Sequence, residues 1–162
     1  MGGVRRELVV LRHAKSAWPP GVPDFRRPLA ERGRRDAPVA GRWLREHVPG
    51  LELVVCSSAK RTRQTWELVA PELRCGPRVA FDDRLYAASV RDLVEVAREL
   101  PAEVASVLFI AHNPGLEDLV YTAADAPCTL KTSAIAVLSG SSDWTEIGPG
   151  WAELVVTANP RG

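Results

Sequence analysis

The chain has 162 residues, of which 46% are hydrophobic and 25% are charged, and its formal net charge is +1. This length supports one substantial core but is short for two domains with separate cores, so we expect a single domain over residues 1–162. The near balance of positive and negative residues argues against a basic nucleic-acid binder and against a highly charged disordered chain.

Apolar runs and helical patterns alternate along the chain. In chain order we expect these elements: a strand at 8–11, an irregular segment with four prolines at 18–28, a helix at 32–47, a strand at 51–56, a helix at 60–70, a weaker strand at 78–81, a helix at 89–100, a strand at 104–111, a helix at 114–124, a strand at 134–138, a glycine-rich loop at 139–151 and a strand at 153–157. This alternation predicts an α/β fold, a three-layer αβα sandwich whose mostly parallel central sheet is covered on both faces.

Three local signals refine these boundaries. Pro38 must kink the first helix or delay its start. Ser89 is a natural N-cap, and Pro114 suits the first helical position because its missing N–H would be unpaired there anyway. The loop at 139–151 could return the chain as a hairpin or across the sheet, so the order of the last strands stays open.

Cysteine usage and the N-terminus bear on where the protein resides. Cys56, Cys75 and Cys128 lie far apart and form no CxxC pair, which is typical of neither a disulfide framework nor a zinc ribbon. The N-terminal segment MGGVRRELVVLR contains only a short apolar run, too short for a signal sequence or a membrane span. We therefore expect a cytoplasmic protein with reduced thiols and no membrane anchor.

Polar side chains collect directly after three of the expected strands, in the segments RHAKS (12–16), SSAKRT (57–62) and AHNP (111–114). In open α/β sheets ligands bind at the carboxyl ends of the strands, so His13 and His112 should converge there with several cations. Guanidinium groups bind phosphate through paired hydrogen bonds, and an imidazole can donate to a phosphoryl group or attack it. The sequence therefore predicts a site for a tetrahedral anion, beside which the segment 18–28 could form a wall.

A structural explanation competes with this one for each histidine. A single histidine after a strand is more often a hydrogen-bonded structural residue, but the pair in these contexts favours a functional site. His47 needs no functional explanation, because a histidine in the last turn of a helix is favoured by the helix dipole.

The segment 11–16 (LRHAKS) resembles the RHG-type signature of the histidine phosphatase superfamily, with Ala14 in place of the usual glycine. Four further segments match in order: 27–33 (RPLAERG), 57–65 (SSAKRTRQT), 111–114 (AHNP) and 132–136 (TSAIA), the last being similar to the SixA phosphohistidine phosphatase branch. The resemblance spans residues 7–138 and implies the phosphoglycerate mutase-like fold.

The resemblance also implies residue roles and a chemistry that needs no metal or other cofactor. His13 would accept the phosphoryl group, Arg12 and Arg61 would clamp its oxygens, and His112 would donate to it. Phosphoryl transfer needs mainly in-line positioning and charge neutralisation, which these side chains can supply. Further possible pocket residues are Lys15, Ser16, Trp18 and Asn113. Arg63 is expected on the surface, since one helical position turns a side chain by about 100°.

The general acid and the substrate are less determined. By resemblance to members that act on stable esters, Asp83 would be the acid; alternatively, Asp82 and Asp83 only end a strand and pair with Arg84. The segments between the motifs are short, so the site should be uncovered and able to admit a phosphorylated side chain of another protein. Small phosphate esters are the main alternative substrates, and the oligomeric state is open.

Three rival interpretations remain. Cys56 precedes SSAKR (57–61), which faintly resembles the phosphate loop of cysteine-dependent phosphatases, but that loop needs five residues between Cys and Arg and here there are four. A non-catalytic phospho-ligand binding module would be favoured only if one of the four central residues were missing, that is, Arg12, His13, Arg61 or His112. A metal site is poorly supplied, with three histidines and no HxH or HxxxH. No nucleic-acid motif is present, since the basic residues are not interleaved with aromatics.

Overall fold

A computed structural model describes residues 5–162. Residues 1–4, on which part of the N-terminal anchor prediction falls, lie outside the described residues. The strands are β1 (Arg6–Arg12), β2 (Leu53–Cys56), β3 (Arg78–Phe81), β4 (Ser106–Ala111), β5 (Ile135–Gly140) and β6 (Ala152–Ala158). The helices are α1 (Glu31–His47), α2 (Lys60–Val69), α3 (Val90–Arg98) and α4 (Gly115–Ala124). Within residues 5–162, no helix is long and apolar enough to cross a membrane.

All six strands belong to one sheet, in the order β3-β2-β4-β1-β5-β6. The pairs β1–β4, β2–β4 and β2–β3 are parallel, whereas β5 is antiparallel to both β1 and β6. The expected mostly parallel sheet is therefore confirmed. The last two strands form a hairpin, which decides between the two courses left open for the loop before β6.

Helices cover both faces of this sheet. Alternate residues of β1 point to opposite faces: Leu8 and Val10 pack in the core beneath α3 and α4, while Val9 and Leu11 pack in the core beneath α1 and α2. All four side chains are fully buried, which explains why β1 is a continuous apolar run rather than an alternating one. The three-layer αβα sandwich is confirmed.

Local signals set the helix boundaries with two differences from expectation. Helix α1 begins at Glu31 and includes Pro38, so its start is not delayed. Ser89 caps α3 in a capping box with Asp92, as its sequence position predicts. Pro114 is the N-cap residue of α4, one position before the expected one, because the helix begins only at Gly115 after a cis Asn113–Pro114 bond.

Candidate active site

Three adjacent parallel strands deliver the central polar residues to one edge of the sheet. His13 follows β1, Ser57 follows β2 and His112 follows β4. The backbone N–H of His13 donates to the carbonyl of Ala111 at 3.1 Å, so the strand ladder extends into the site and fixes both segments. A cavity of about 300 Å³ lies there, lined by Arg12, His13, Lys15, Ser16, Trp18, Arg27, Arg61, His112, Asn113 and Thr132.

His13 is held in one tautomer. Its Nδ1 lies 2.7 Å from the backbone carbonyl of Ala14, and because a carbonyl only accepts, Nδ1 carries the proton and donates it. The ring is 6% exposed. Burial, together with the nearby His112 and arginine charges, lowers the pKa of His13 to about 3. The imidazole is therefore neutral at physiological pH, with the lone pair of Nε2 available to attack.

Whereas His13 is fixed through Nδ1, His112 is fixed through its other ring nitrogen. Its Nε2 lies 2.8 Å from the hydroxyl of Ser57, which also accepts from the backbone N–H of Ala59 at 3.4 Å. This arrangement favours donation of the Ser57 proton to Nε2, which leaves the proton of His112 on Nδ1, a buried atom without a protein partner. Burial, aided by Arg61, lowers the pKa of His112 to about 4. The ring centroids of His112 and His13 are 5.3 Å apart.

The two expected phosphate-binding arginines are held by different loops. Arg12 Nη1 donates to the carbonyl of Leu130 at 3.0 Å, and Arg61 binds Asp24 through Nη1 and Nη2. The Nε atoms of both arginines are buried without a partner. Burial lowers the pKa of Arg12, although a guanidinium stays protonated in proteins. Arg12, Arg61 and His112 all line one small cavity, and each carries a buried donor without a protein partner, a combination that suits a bound anion.

The remaining expected pocket residues also line this cavity. Ser16 accepts a hydrogen bond from the buried Arg27, and Asn113 Nδ2 donates to the Leu130 carbonyl at 2.7 Å. Lys15 is exposed at the cavity edge. Trp18 lies over the guanidinium of Arg27, with 3.3 Å between Cζ and the ring centroid, and is 75% exposed. The irregular segment 18–28 thus contributes one wall of the cavity.

Asp83 is placed elsewhere. It is exposed, does not line the cavity, and its carboxylate accepts a hydrogen bond from the Ser58 hydroxyl. The short 3-10 turn that follows β3 at Asp83–Leu85 sends Asp83 towards Ser58, whereas Tyr86, three residues on, reaches the site. The alternative interpretation, that Asp82 and Asp83 both pair with Arg84, is right only for Asp82, since Arg84 does not pair with Asp83.

Asp24 and Tyr86 are site residues that the sequence patterns did not predict. The carboxylate of Asp24 accepts from Arg61 at 3.1 Å, from Arg27 at 3.0 Å and from the Tyr86 hydroxyl at 2.7 Å. The edge of the Tyr86 ring packs on His112 with centroids 5.6 Å apart. A usable signal was the spacing of Asp24 three residues before Arg27 in the segment judged to flank the site.

A second cavity of about 460 Å³ adjoins the first and shares Arg61, His112 and Asn113 with it. Among the described residues lining either cavity, Asp24 is the one carboxylate. The hydrogen bond from Tyr86 and the two arginines hold the pKa of Asp24 well below its usual range. Asp24 is therefore ionised at neutral pH and has no proton to donate to a leaving group.

The cysteine alternative is wrong on geometry. Cys56 ends β2 with its side chain fully buried in the core beneath α1 and α2. Burial raises the pKa of this thiol to about 12, so it is not a thiolate at neutral pH.

Across the part of the chain that the structure describes, no three His, Cys, Asp or Glu side chains form a group able to hold a metal ion. Arg63 is exposed, as expected, and lies over Phe81.

Comparisons with known proteins agree with this architecture. The family model of the histidine phosphatase superfamily (branch 1) matches residues 8–112. An uncharacterized protein from Mycobacterium tuberculosis is 37% identical over 162 residues, which cover 93% of this chain and 100% of that protein. The solved structure of a SixA protein from Nakamurella multipartitia is 31% identical, covers 99% of each chain and has a TM-score of 0.85. The structure of the protein histidine phosphatase SixA complexed with tungstate is 26% identical, covers 95% of this chain and 97% of that one, and has a TM-score of 0.82.

Proposed function

This chain belongs to the histidine phosphatase superfamily and is a phosphatase, and we propose that it works through a phosphoryl intermediate on His13, with phosphohistidine on another protein as its substrate. The observation that carries the proposal is the free Nε2 of a neutral, buried His13 in a cavity lined by three residues that carry unpaired donors. The likeness to the SixA structure solved with tungstate, a tetrahedral anion, points in the same direction.

In the first step, the lone pair of His13 Nε2 attacks the phosphorus atom of the bound substrate. A nitrogen–phosphorus bond forms on His13, and the bond to the substrate imidazole breaks, with its electron pair leaving on that imidazole. The ring of His13 becomes positively charged, and the carbonyl of Ala14, which accepts from Nδ1, stabilises that charge. Arg12 and Arg61 neutralise the charge on the equatorial oxygens, and the neutral His112 donates a hydrogen bond to them.

In the second step, water attacks the phosphorus atom and the bond to His13 breaks. The electron pair returns to Nε2, inorganic phosphate leaves, and the proton lost by the water passes to the phosphate or to solvent. His13 regains its neutral form with Nδ1 still protonated. No metal or other cofactor takes part in either step, because the donors on the protein supply the charge neutralisation.

The proposed substrate class rests on the fact that, among the described residues lining the two cavities, no carboxyl group is protonated at neutral pH. An alkyl ester departs as an alkoxide unless a general acid protonates it, and the carboxylate next to this site, Asp24, is ionised. An imidazole leaving group needs no such acid, because solvent can protonate the ring nitrogen that is not bonded to phosphorus before the bond breaks, and the group then leaves as neutral imidazole. We therefore place protein phosphohistidine ahead of phosphate monoesters. Small aryl phosphates are the second candidate, since a cavity of about 300 Å³ lies at the lower end of small-ligand sites.

The cytoplasm is the proposed location. Cys56, Cys75 and Cys128 are all free thiols, which suits a reducing compartment.

The test compares kcat/KM for a histidine-phosphorylated protein, phenyl phosphate and glycerol phosphate at equal ionic strength. We expect the phosphohistidine protein to exceed glycerol phosphate by at least about a hundredfold, the scale of one missing general acid. A comparable kcat/KM for glycerol phosphate would contradict the substrate assignment, and no turnover of any of the three would leave a phospho-ligand binding module.

A further inference from the structure

Trp18 is an exposed aromatic side chain held in place at the rim of the catalytic cavity. It begins a loop whose two ends are joined by backbone hydrogen bonds. Ala17 N–H donates to the Pro28 carbonyl and Ala30 N–H donates to the Lys15 carbonyl, each at 2.9 Å. An antiparallel β-bridge between residues 16 and 29 also joins the two ends of the loop. The backbone at Trp18 is therefore positioned by the same segment that carries Lys15 and Ser16 into the cavity.

The ring of Trp18 is positioned as well. Its guanidinium neighbour, Arg27, is buried and donates to the Ala17 carbonyl at 3.0 Å, to Asp24 at 3.0 Å and to the hydroxyl of Ser16. These hydrogen bonds hold the guanidinium of Arg27 in place. It stacks on one face of the indole, with 3.3 Å between Cζ and the ring centroid, and so fixes the position of the ring. Since the residue is nevertheless 75% exposed, the opposite face is open to solvent.

An indole in that position is not explained by core packing, because a packing role would bury it. The indole, which has one face open to solvent, is among the groups that line the cavity containing His13. Planar aromatic groups stack favourably on such a face, and the entropy of fixing the indole has already been lost on folding.

We propose that Trp18 is a specificity-determining residue that stacks on a planar leaving group while the phosphoryl group lies between His13 and the arginines. The inference rests on the proposed function and names the part of the substrate that this function leaves undefined: an imidazole or aryl ring bonded directly to phosphorus or through one oxygen. Alkyl phosphates gain nothing from the stack. Trp18 would therefore add to the preference that the missing general acid already creates.

The experiment measures inhibition constants for two non-hydrolysable probes, phenylphosphonate and methylphosphonate, which share the charged group and differ in the ring. We expect the wild-type protein to bind phenylphosphonate more tightly. Trp18→Ala should reduce that preference about three- to tenfold by weakening phenylphosphonate alone. Trp18→Phe should retain most of the preference, because the smaller ring still stacks. Tyr121→Ala is the matched control, since Tyr121 is an exposed aromatic that lines a different cavity.

An unchanged preference in Trp18→Ala would overturn the inference while leaving the phosphatase assignment intact. Equal weakening of both probes would also overturn it, because Trp18 would then act by holding Arg27. Failure of both phosphonates to bind the wild-type protein would instead count against the proposed phosphate site itself.

Discussion

The guanidinium of Arg61 binds Asp24 twice, through Nη1 to the backbone carbonyl at 2.8 Å and through Nη2 to the carboxylate at 3.1 Å. Within residues 5–162 these are all the hydrogen bonds of the Arg61 side chain, and its Nε is left buried without a partner. One edge of the guanidinium is thus fixed by the segment 18–28, while Arg61 lines the cavity and its Nε has no protein partner.

Arg61→Ala should weaken phosphate binding and slow turnover. A charge-assisted hydrogen bond contributes roughly 1.5–3 kcal/mol, so we expect the inhibition constant of inorganic phosphate to rise about tenfold to a hundredfold. Arg63→Ala is the control, because Arg63 lies two residues along the same helix but outside the cavity. Equal effects of the two substitutions would show that Arg61 acts only through general charge.

Asp24→Ala tests whether Asp24 positions Arg61 or competes with the phosphate for it. We expect KM for phenyl phosphate to rise about tenfold, because the freed guanidinium loses the partner that orients it. Asp24→Asn should lie between wild type and Asp24→Ala, since the amide oxygen can still accept a hydrogen bond. A lower KM in Asp24→Ala would mean that the carboxylate blocks the site in the free enzyme.

The two buried imidazoles give a stability that depends on pH. The pKa of His13 is about 3 and that of His112 about 4 in the folded chain, against about 6.5 for histidine in an unfolded one. The unfolded state therefore binds more protons between about pH 4 and 6.5, so the free energy of unfolding should decrease as the pH falls through that window. Urea unfolding in phosphate-free buffer at about pH 7.5 and 5 measures the decrease.

The double variant His13→Ala, His112→Ala should show a smaller decrease over the same interval. Two imidazole signals that titrate near pH 6.5 in an NMR experiment on the folded wild-type protein, and vanish in the double variant, would contradict the lowered pKa values.

Cys56→Ser should leave turnover within about twofold of wild type at a temperature where the variant is folded. The thiol packs in the core and does not line the cavity, so the substitution should affect stability by about 1–3 kcal/mol through a buried hydroxyl rather than affect catalysis. Steady-state kinetics with a parallel thermal melt checks both parts. A folded Cys56→Ser variant without activity would revive the cysteine mechanism.

The fold was largely predictable because its signals are local. Continuous apolar runs such as Leu8–Leu11 mark strands buried on both faces, and Ser89 marks a helix start through its own side chain. Because ligands of open α/β sheets bind at the carboxyl ends of the strands, the positions of His13 and His112 after their strands predicted that the two residues lie together. The course of the chain after β5 was not predictable, because a glycine-rich loop sets no direction.

The site was predictable only where function depends on a residue's position after a strand. Asp24 and Tyr86 meet across 62 residues of sequence, and no local pattern reports such a contact. Asp83 was assigned from a resemblance to proteins with an acid in the same loop. The actual turn geometry, which directs Asp83 towards Ser58, depends on side-chain packing that the sequence pattern does not encode.

Rapid-quench labelling with a radiolabelled phosphohistidine protein tests the central claim most directly. Wild-type protein and His47→Ala, which removes an exposed histidine stacked on Trp43, should both acquire acid-labile, alkali-stable label within one turnover, and His13→Ala should acquire none. Turnover without any such label, or label that persists in His13→Ala, would contradict a mechanism through His13.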